Sequence, residues 1–536
     1  MKHFFTFVLL LLSLVMFSQE EDAWVYFKDK PNAQLFLNKP SDMLSQRSLD
    51  RRTNQNIALS TTDVPIEKTY TNQIKASIGI KIMAQSKWLN ALHIRGTQTD
   101  ILALKSLSFV DKVVFANKAL NSTAKKAVAY KEVQTNDKLK TNIDYTYGNS
   151  ASQIQMLNGQ VLHKQNYTGS GKIIAVLDAG FPGVNTAQPF QNLQTKNQIL
   201  GGYDFVNRNT NFYTGDDHGT LVLSTMGGYK ENALIGTAPD ASYYLFITEN
   251  DAVENPVEES LWVEAAEKAD SLGVDIITTS LGYFAGFTNP NYNHTYSDMN
   301  GTTNFMSRGA EIAFSKGIIV VASAGNEGRD AEPHIGSPAD AVSVITVGSV
   351  DSSKIKSNFS SIGPSFDNRI KPDVMAQGTA TVVSDASGAI GTSNGTSFSC
   401  PVMAGMIACL WQAFPTKTNK EIRQMLLQIS DRYAAPNNNY GYGIPNFGST
   451  LGVDSFQNDI IFSVFPNPSK TTVSFLSSNE NYTATVSIYS VLGQKIIEKQ
   501  ITNQNPILSV EALNSGLYFY TFDAEGLHKT GKIIKQ

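Results

Sequence analysis

The chain has only two cysteines in 536 residues, Cys400 and Cys409. They stand nine residues apart in one apolar run. On a helix that spacing is roughly 13 Å along the axis, well past the ~7 Å a disulfide tolerates between Cα atoms. Both are expected to be free, buried and inert, which excludes a disulfide-stapled fold. Basic runs are also missing. Forty-three Lys and Arg against 47 Asp and Glu give a net charge of −4, and nothing concentrates positive charge, which argues against nucleic acid as a partner. Long apolar runs are scarce too. Phe4 to Phe17 is the one nearly unbroken stretch, interrupted by Thr6 and Ser13. It is short for a membrane span, follows Lys2 and His3, and precedes Ser18 and the polar Gln19-Glu20-Glu21-Asp22. That is the layout of a signal peptide, so residues 1–18 are expected to direct export. An exported chain without disulfides fits a bacterial source. Repeats and low-complexity tracts are absent. What remains is ordinary globular composition, 41% hydrophobic and 17% charged, in a length that implies about three to four units.

The units differ in pattern. Residues 19–140 hold a strand at Trp24 to Lys28, a period-two stretch at Leu89 to Gly96, a helical pattern carrying Ile101, Leu102, Leu104 and Leu107, and a strand at Val110 to Val114. They make a small α+β module. Residues 116–150 are polar, rich in Lys, Asn and Thr, and read as an exposed linker. From about 150, continuous apolar strands alternate with helices. The strands are Lys172 to Leu177, Tyr243 to Ile247, Val274 to Thr279, Ile318 to Ala322 and Val344 to Val347. Helical periodicity marks Val257 to Leu272, Thr303 to Lys316 and Asn419 to Ser430. Such alternation implies an α/β unit, a mostly parallel sheet covered by helices on both faces. Sites in these sheets form at the carboxyl ends of strands. After a linker at 449–459, residues 460–536 show short alternating strands and turn residues, with Pro466-Asn467-Pro468 near their start. They read as a small β-sandwich.

Four stretches carry reactive groups. Ser397 follows Gly395-Thr396 and opens an apolar run, Phe398 to Trp411, that reads as a buried helix. Free N–H groups at a helix start can hold an oxyanion, although a serine there is also the ordinary N-cap. Asp178 ends the strand that closes at Leu177, where an aspartate can equally cap a turn. His218, flanked by Asp216-Asp217 and Gly219-Thr220, stands at a junction into a small helix. Among seven histidines it is the one so placed; His163, His294 and His334 fall in loop-like surroundings without other reactive groups. Asn326 ends the strand after Val321-Ala322-Ser323-Ala324-Gly325, placed to donate into a cleft or simply to make a tight turn.

Together these stretches resemble the subtilisin-like serine proteases, the subtilase family S8. The resemblance rests on Ile174 to Asp178, His218-Gly219-Thr220, Val320 to Gly328 and Gly395-Thr396-Ser397, in the order Asp, His, Ser. It implies that Ser397 attacks the scissile carbonyl, His218 moves its proton and Asp178 holds the imidazole. Asn326 would donate to the oxyanion. Val274 to Gly282 matches the family's substrate strand, so Ser280, Leu281 and Gly282 would pair with an extended peptide. Ala324 and Gly325 would line the primary specificity pocket, whose small residues imply an open pocket with no fixed charge at its wall. Departures from the family pattern are Leu221, Phe398-Ser399 and Pro401-Val402-Met403; none holds a catalytic role, but they imply different packing around the nucleophile.

The flanks fit the same picture. Residues 19–140 resemble the family's inhibitory propeptides, followed by a peptidase domain at 141–448. The tail, 460–536, resembles the C-terminal sorting domain of type IX secretion in Bacteroidetes. The resemblance thus implies a secreted or cell-surface serine endopeptidase, made as a zymogen. Its partners would be protein or peptide substrates, its own propeptide and the type IX machinery. The alternative is a catalytically inactive subtilisin-like binding or adhesion protein; a third reading makes the tail a carbohydrate-binding module through its tyrosines. The acidic residues show no spacing of a calcium loop, so no metal or other cofactor is expected. The insert from Tyr283 to Gly301 is expected to be either an exposed loop or the cleft's rim.

Overall fold

A computed structural model describes residues 19–121, 145–250, 252–451, 462–465, 467–477, 483–491, 493–502, 505–524 and 527–536. The expected targeting segment, and most of both expected linkers, lie outside these residues. The chain divides into two units, Met1–Gly452 and Val453–Gln536.

The first unit opens with a four-stranded antiparallel sheet. Its strands are β1 (Glu20–Phe27), β2 (Lys81–Ser86), β3 (Ala91–Thr97) and β4 (Val110–Phe115), in the order β2-β3-β1-β4. Central β1 is buried on both faces, which its period-two side chains allow. Ala23, Val25 and Phe27 join Ile74, Ile94 and Phe109 in the module's own core. Trp24 and Tyr26 face the other way, into a core shared with Trp262, Ala266 and Phe305. Strand β2 escapes a sequence reading because only Ala84 and Ser86 of its six residues are buried.

Between β1 and β2, a helix α1 (Gln46–Asn54) crosses to the rest of the unit. Arg52 bridges Asp270 and Asp63, each at 2.8 Å, and Arg51 pairs with the same Asp270. Lys316 reaches Asp63 at 3.0 Å. These side chains are almost wholly buried. Buried charges persist only when paired, and here the pairs join two modules.

The seven strands that follow are all parallel. They are β5 (Ile173–Asp178), β6 (Ile199–Asp204), β7 (Ser242–Ile247), β8 (Ile276–Thr279), β9 (Ile319–Ser323), β10 (Ile345–Val350) and β11 (Val374–Gln377). Their order is β11-β10-β9-β8-β5-β7-β6, the parallel sheet that alternating apolar strands and helices imply. β6 and β11 are edge strands; β6 is interrupted by Gly201-Gly202 and β11 is four residues long, so neither shows a clear apolar run. Helices α2 (His218–Gly227), α3 (Val257–Leu272), α4 (Phe305–Ser315), α5 (Thr396–Ala413) and α6 (Asn419–Gln428) cover the sheet. The opening sheet packs on α3 and β2 touches it directly. Cys400 and Cys409, both on α5, are free and buried.

The second unit is a β-sandwich by itself. One sheet has three strands and the other four, and Val473, Phe475, Val486, Ile488, Phe522 and Ile533 fill the space between. Tyr520 packs edge-on against Phe475 at 5.2 Å, a packing role rather than a sugar-binding one.

Removing Asp270 leaves the buried Arg51 guanidinium without its carboxylate and takes one of two from Arg52. Asp270→Ala, in a chain also carrying Ser397→Ala to prevent processing, is expected to lower stability by about 3–5 kcal/mol. Urea unfolding of the unprocessed protein measures this; an unchanged midpoint would remove the network from the account of how α1 is held.

Candidate active site

The sheet order reverses at β5: β7 and β6 lie on one side, and β8 to β11 on the other. A parallel sheet opens a crevice at such a point, beyond its carboxyl ends. Asp178 is the last residue of β5, Ser280 follows β8, and Asn326 follows β9. Helices α2 and α5 begin over the same edge and bring His218 and Ser397 with them.

His218 is the first residue of α2. The next residue must be small: a Cβ on Gly219 would collide with the Gly180 carbonyl and stand 3.0 Å from the Asp178 Cβ. That approach lets His218 Nδ1 donate to Asp178 Oδ1 at 2.7 Å. The same oxygen accepts from the Ala179 N–H at 2.8 Å. Asp178 is fully buried, while the His218 side chain is 29% exposed, so one nitrogen is pinned and the other faces the cleft. The Asp178 charge raises the His218 pKa from its ordinary 6.5 to about 9, against the opposing effect of burial. Phe398 packs beside the imidazole, ring centres 6.0 Å apart.

Ser397 stands in the first turn of α5, after Gly395, whose φ of +150 leads the chain into the helix. Pro401 lies four residues on and has no N–H to give the Ser397 carbonyl. Ser280 Oγ takes that place, donating to Ser397 O at 2.8 Å. In return Ser397 Oγ is directed at the Ser280 carbonyl, at 3.4 Å. Among the described residues no hydrogen bond yet joins Ser397 to His218; such bonds often tighten only with substrate in place.

Asn326 is held by its carbonyl end. Its Oδ1 accepts from the Thr396 N–H at 2.9 Å and from Thr396 Oγ1 at 3.2 Å, and Thr396 Oγ1 also accepts from the Gly325 N–H at 3.1 Å. This leaves Nδ2 to donate into the cleft beside Ser397. Thr396 thus positions Asn326, and the sequence reading passed over it although it stands next to Ser397.

Ser280, Leu281, Gly282, Ala324, Gly325, Asn326, His218 and Ser397 all line one cavity of about 610 Å³, with Asp178 buried behind His218. Leu281 and Gly282 make no backbone hydrogen bond among the described residues, so their edge is available to an extended chain. Three expectations need correction. The pocket wall is charged: the Glu327 carboxylate lies where a side chain on Gly325 would project. The insert after the substrate strand is not a simple exposed loop. Tyr283, Phe287, Tyr292 and Met299 are buried, because its aromatic residues fill space, and Phe284 to Gly286 rim the cavity. Its Tyr292 hydroxyl also donates to Glu21 at 3.1 Å, tying it to β1. His163 and His294 are not loop bystanders: His163 is buried on a short helix with its Nε2 on the Thr237 carbonyl at 2.9 Å, and His294 pairs with Glu259 at 2.9 Å.

Comparison with known proteins agrees with this arrangement. Residues 169–443 match the subtilase family. Residues 22–134 match a peptidase S8 propeptide domain of Bacteroidota, and residues 463–536 a secretion system C-terminal sorting domain. Subtilisin NAT of Bacillus subtilis subsp. natto is 30% identical over 355 residues, covering 65% of this chain and 84% of that protein. Subtilisin E of Bacillus subtilis (strain 168) gives the same identity and coverage. Serine protease AprX of Bacillus subtilis (strain 168) is 29% identical over 359 residues, covering 61% of this chain and 76% of its own.

If the free Asn326 amide serves developing negative charge, Asn326→Ala is expected to lower kcat by about 10²–10³ with KM little changed. Steady-state kinetics on a soluble peptide separate the two. A rise in KM alone would assign Asn326 to ground-state binding instead.

Proposed function

The chain belongs to the subtilase family, and from that membership we propose a role for each group in the cleft. The protein is a secreted serine endopeptidase regulated by a propeptide, and its tail is a secretion sorting domain. In the proposed reaction, a peptide lies along Ser280 to Gly282 as an added strand. Ser397 Oγ turns from the Ser280 carbonyl and attacks the scissile carbonyl carbon as His218 Nε2 takes its proton. Asp178 keeps Nδ1 protonated and stabilises the imidazolium. The Asn326 amide and the Ser397 N–H receive the oxyanion. His218 then protonates the leaving amine, and water repeats the cycle on the acyl-enzyme in reverse.

The observation that carries this reading is the 2.7 Å bond from His218 to a fully buried Asp178, with Ser397 in the same cavity. A binding protein has no use for a buried carboxylate oriented on a histidine at the rim of its groove, which favours the peptidase over the inactive alternative.

The opening module is proposed to block the cleft in its own chain until cut away. Its Asn121 amide bonds the Phe115 carbonyl at 2.8 Å, and Lys118 pairs with Asp298 of the insert at 2.6 Å. The maturation cut is proposed to fall in the polar linker near residues 116–150. The tail would be the part the type IX machinery recognises.

The test is digestion of casein by the exported protein, wild type beside Ser397→Ala, with product N-termini sequenced. The wild type is expected to cut casein and to start within the linker near residues 116–150, and Ser397→Ala to do neither. Equal cutting by both would remove Ser397 from the mechanism.

A further inference from the structure

We propose that the insert from Tyr283 to Gly301 is a preformed docking surface for the opening module, and that it sets how long the module stays on the peptidase once the linker is cut. The proposal rests on the peptidase reading above and adds to it the surface that recognises the module.

The insert lies between Val274 to Gly282 and Val320 to Gly328, the stretches that carry the family resemblance, so that resemblance assigns it nothing. It reaches the module at both of the module's ends. At the first strand, β1, the Tyr292 hydroxyl donates to Glu21 Oε2 at 3.1 Å and accepts from the Asp22 N–H at 3.3 Å. Burial and the Asp22 charge push the Tyr292 pKa up to about 12, so the phenol keeps its proton at any ordinary pH. Beyond the last strand, β4, Lys118 Nζ donates to Asp298 Oδ2 at 2.6 Å and to His294 Nδ1 at 3.1 Å. With Nδ1 accepting, His294 Nε2 donates to Glu259 Oε1 at 2.9 Å, which ties the contact to α3. Between these polar ends, Phe287 and Tyr292 enter the core that holds Trp24 and Tyr26. An aromatic centre with a polar, charged edge is the composition of a specific protein contact.

The surface has its own supports. Asp298 Oδ2 accepts from the Thr295 N–H and from Thr295 Oγ1, both at 2.7 Å. The His294 N–H donates to the Phe284 carbonyl at 2.7 Å, and Asn293 Oδ1 accepts from the Phe287 N–H at 3.1 Å. The Tyr296 hydroxyl donates to the Pro364 carbonyl at 2.9 Å, and buried Asp340 accepts from the Gly301 N–H at 2.7 Å. All of these partners belong to the peptidase, so the insert holds its shape without the module. A site ordered in advance loses little entropy when its partner binds.

The test follows maturation of the exported full-length chain, with time points resolved by gel filtration and denaturing gels beside hydrolysis of a small peptide. In the wild type the module is expected to stay with the peptidase after the linker is cut, and activity to appear as it leaves. Tyr292→Phe and Lys118→Met are each expected to release it about 5-fold faster or more and to shorten the lag in activity to match, with the cut itself at the wild-type rate. Lys118→Arg is expected to keep the wild-type lag. The Lys118 side chain is 40% exposed, so its variants decide the matter if Tyr292→Phe folds poorly. Once matured, Tyr292→Phe is expected to show the wild-type kcat/KM. A wild-type module never found with the cut peptidase overturns the proposal, as do variants that mature normally with unchanged release. A wild-type chain that cuts neither its linker nor casein overturns the peptidase reading and this one with it.

Discussion

The hydrogen bond from His218 to Asp178 is the contact on which the remaining geometry depends. It forms where the strand order of a parallel sheet reverses, and it requires a helix start to come almost into contact with a strand end. Gly219 permits that approach. Among the described residues Asp178 gains two donors, the Ala179 N–H and the imidazole, and its second oxygen is buried without a hydrogen-bond partner there. A carboxylate held this way favours a positive charge on its neighbour, which is why His218 is raised to about 9. The field that would stabilise an imidazolium in the transition state therefore exists before substrate arrives.

Ser397 is positioned by a different set of donors. Pro401 removes one helical hydrogen bond, and the Ser280 hydroxyl replaces it. The chain after β8 is thereby joined to the Ser397 backbone, and Thr396 joins Asn326 to the same turn. Three elements from different parts of the sheet are referenced to one helix start. Ahead of them, the opening module is bound through charge as well as through Trp24 and Tyr26. Glu267 accepts from the Ser86 hydroxyl and from the Lys87 and Trp88 N–H groups, and Asp270 holds Arg51 and Arg52.

Much of this was legible in the sequence because each reactive residue borders an apolar run at a glycine-bearing turn. Asp178, His218, Asn326 and Ser397 could be placed on strand ends and helix starts from local pattern alone. The bond between Ser280 and Ser397 could not, since 117 residues separate them and only the fold brings them together. The uncharged pocket wall was expected from the small Ala324 and Gly325 alone, and the carboxylate of Glu327, two residues on, fills the space a Gly325 side chain would take. The edge strands β6 and β11 lacked a clear signal because they are broken or short. The insert after Gly282 was ambiguous because buried aromatic and exposed polar residues alternate in it without period.

The most direct measurement of the central claim is the rate at which a fluorophosphonate labels Ser397 as a function of pH, in the matured wild type and in Asp178→Asn. Labelling needs a neutral imidazole, so the rate rises as His218 loses its proton. The account expects a midpoint displaced upward from 6.5 toward about 9, with labelling slowed about 10⁴-fold and the midpoint lowered in Asp178→Asn. A midpoint at or below 6.5 in the wild type, or one that Asp178→Asn leaves in place, would contradict it.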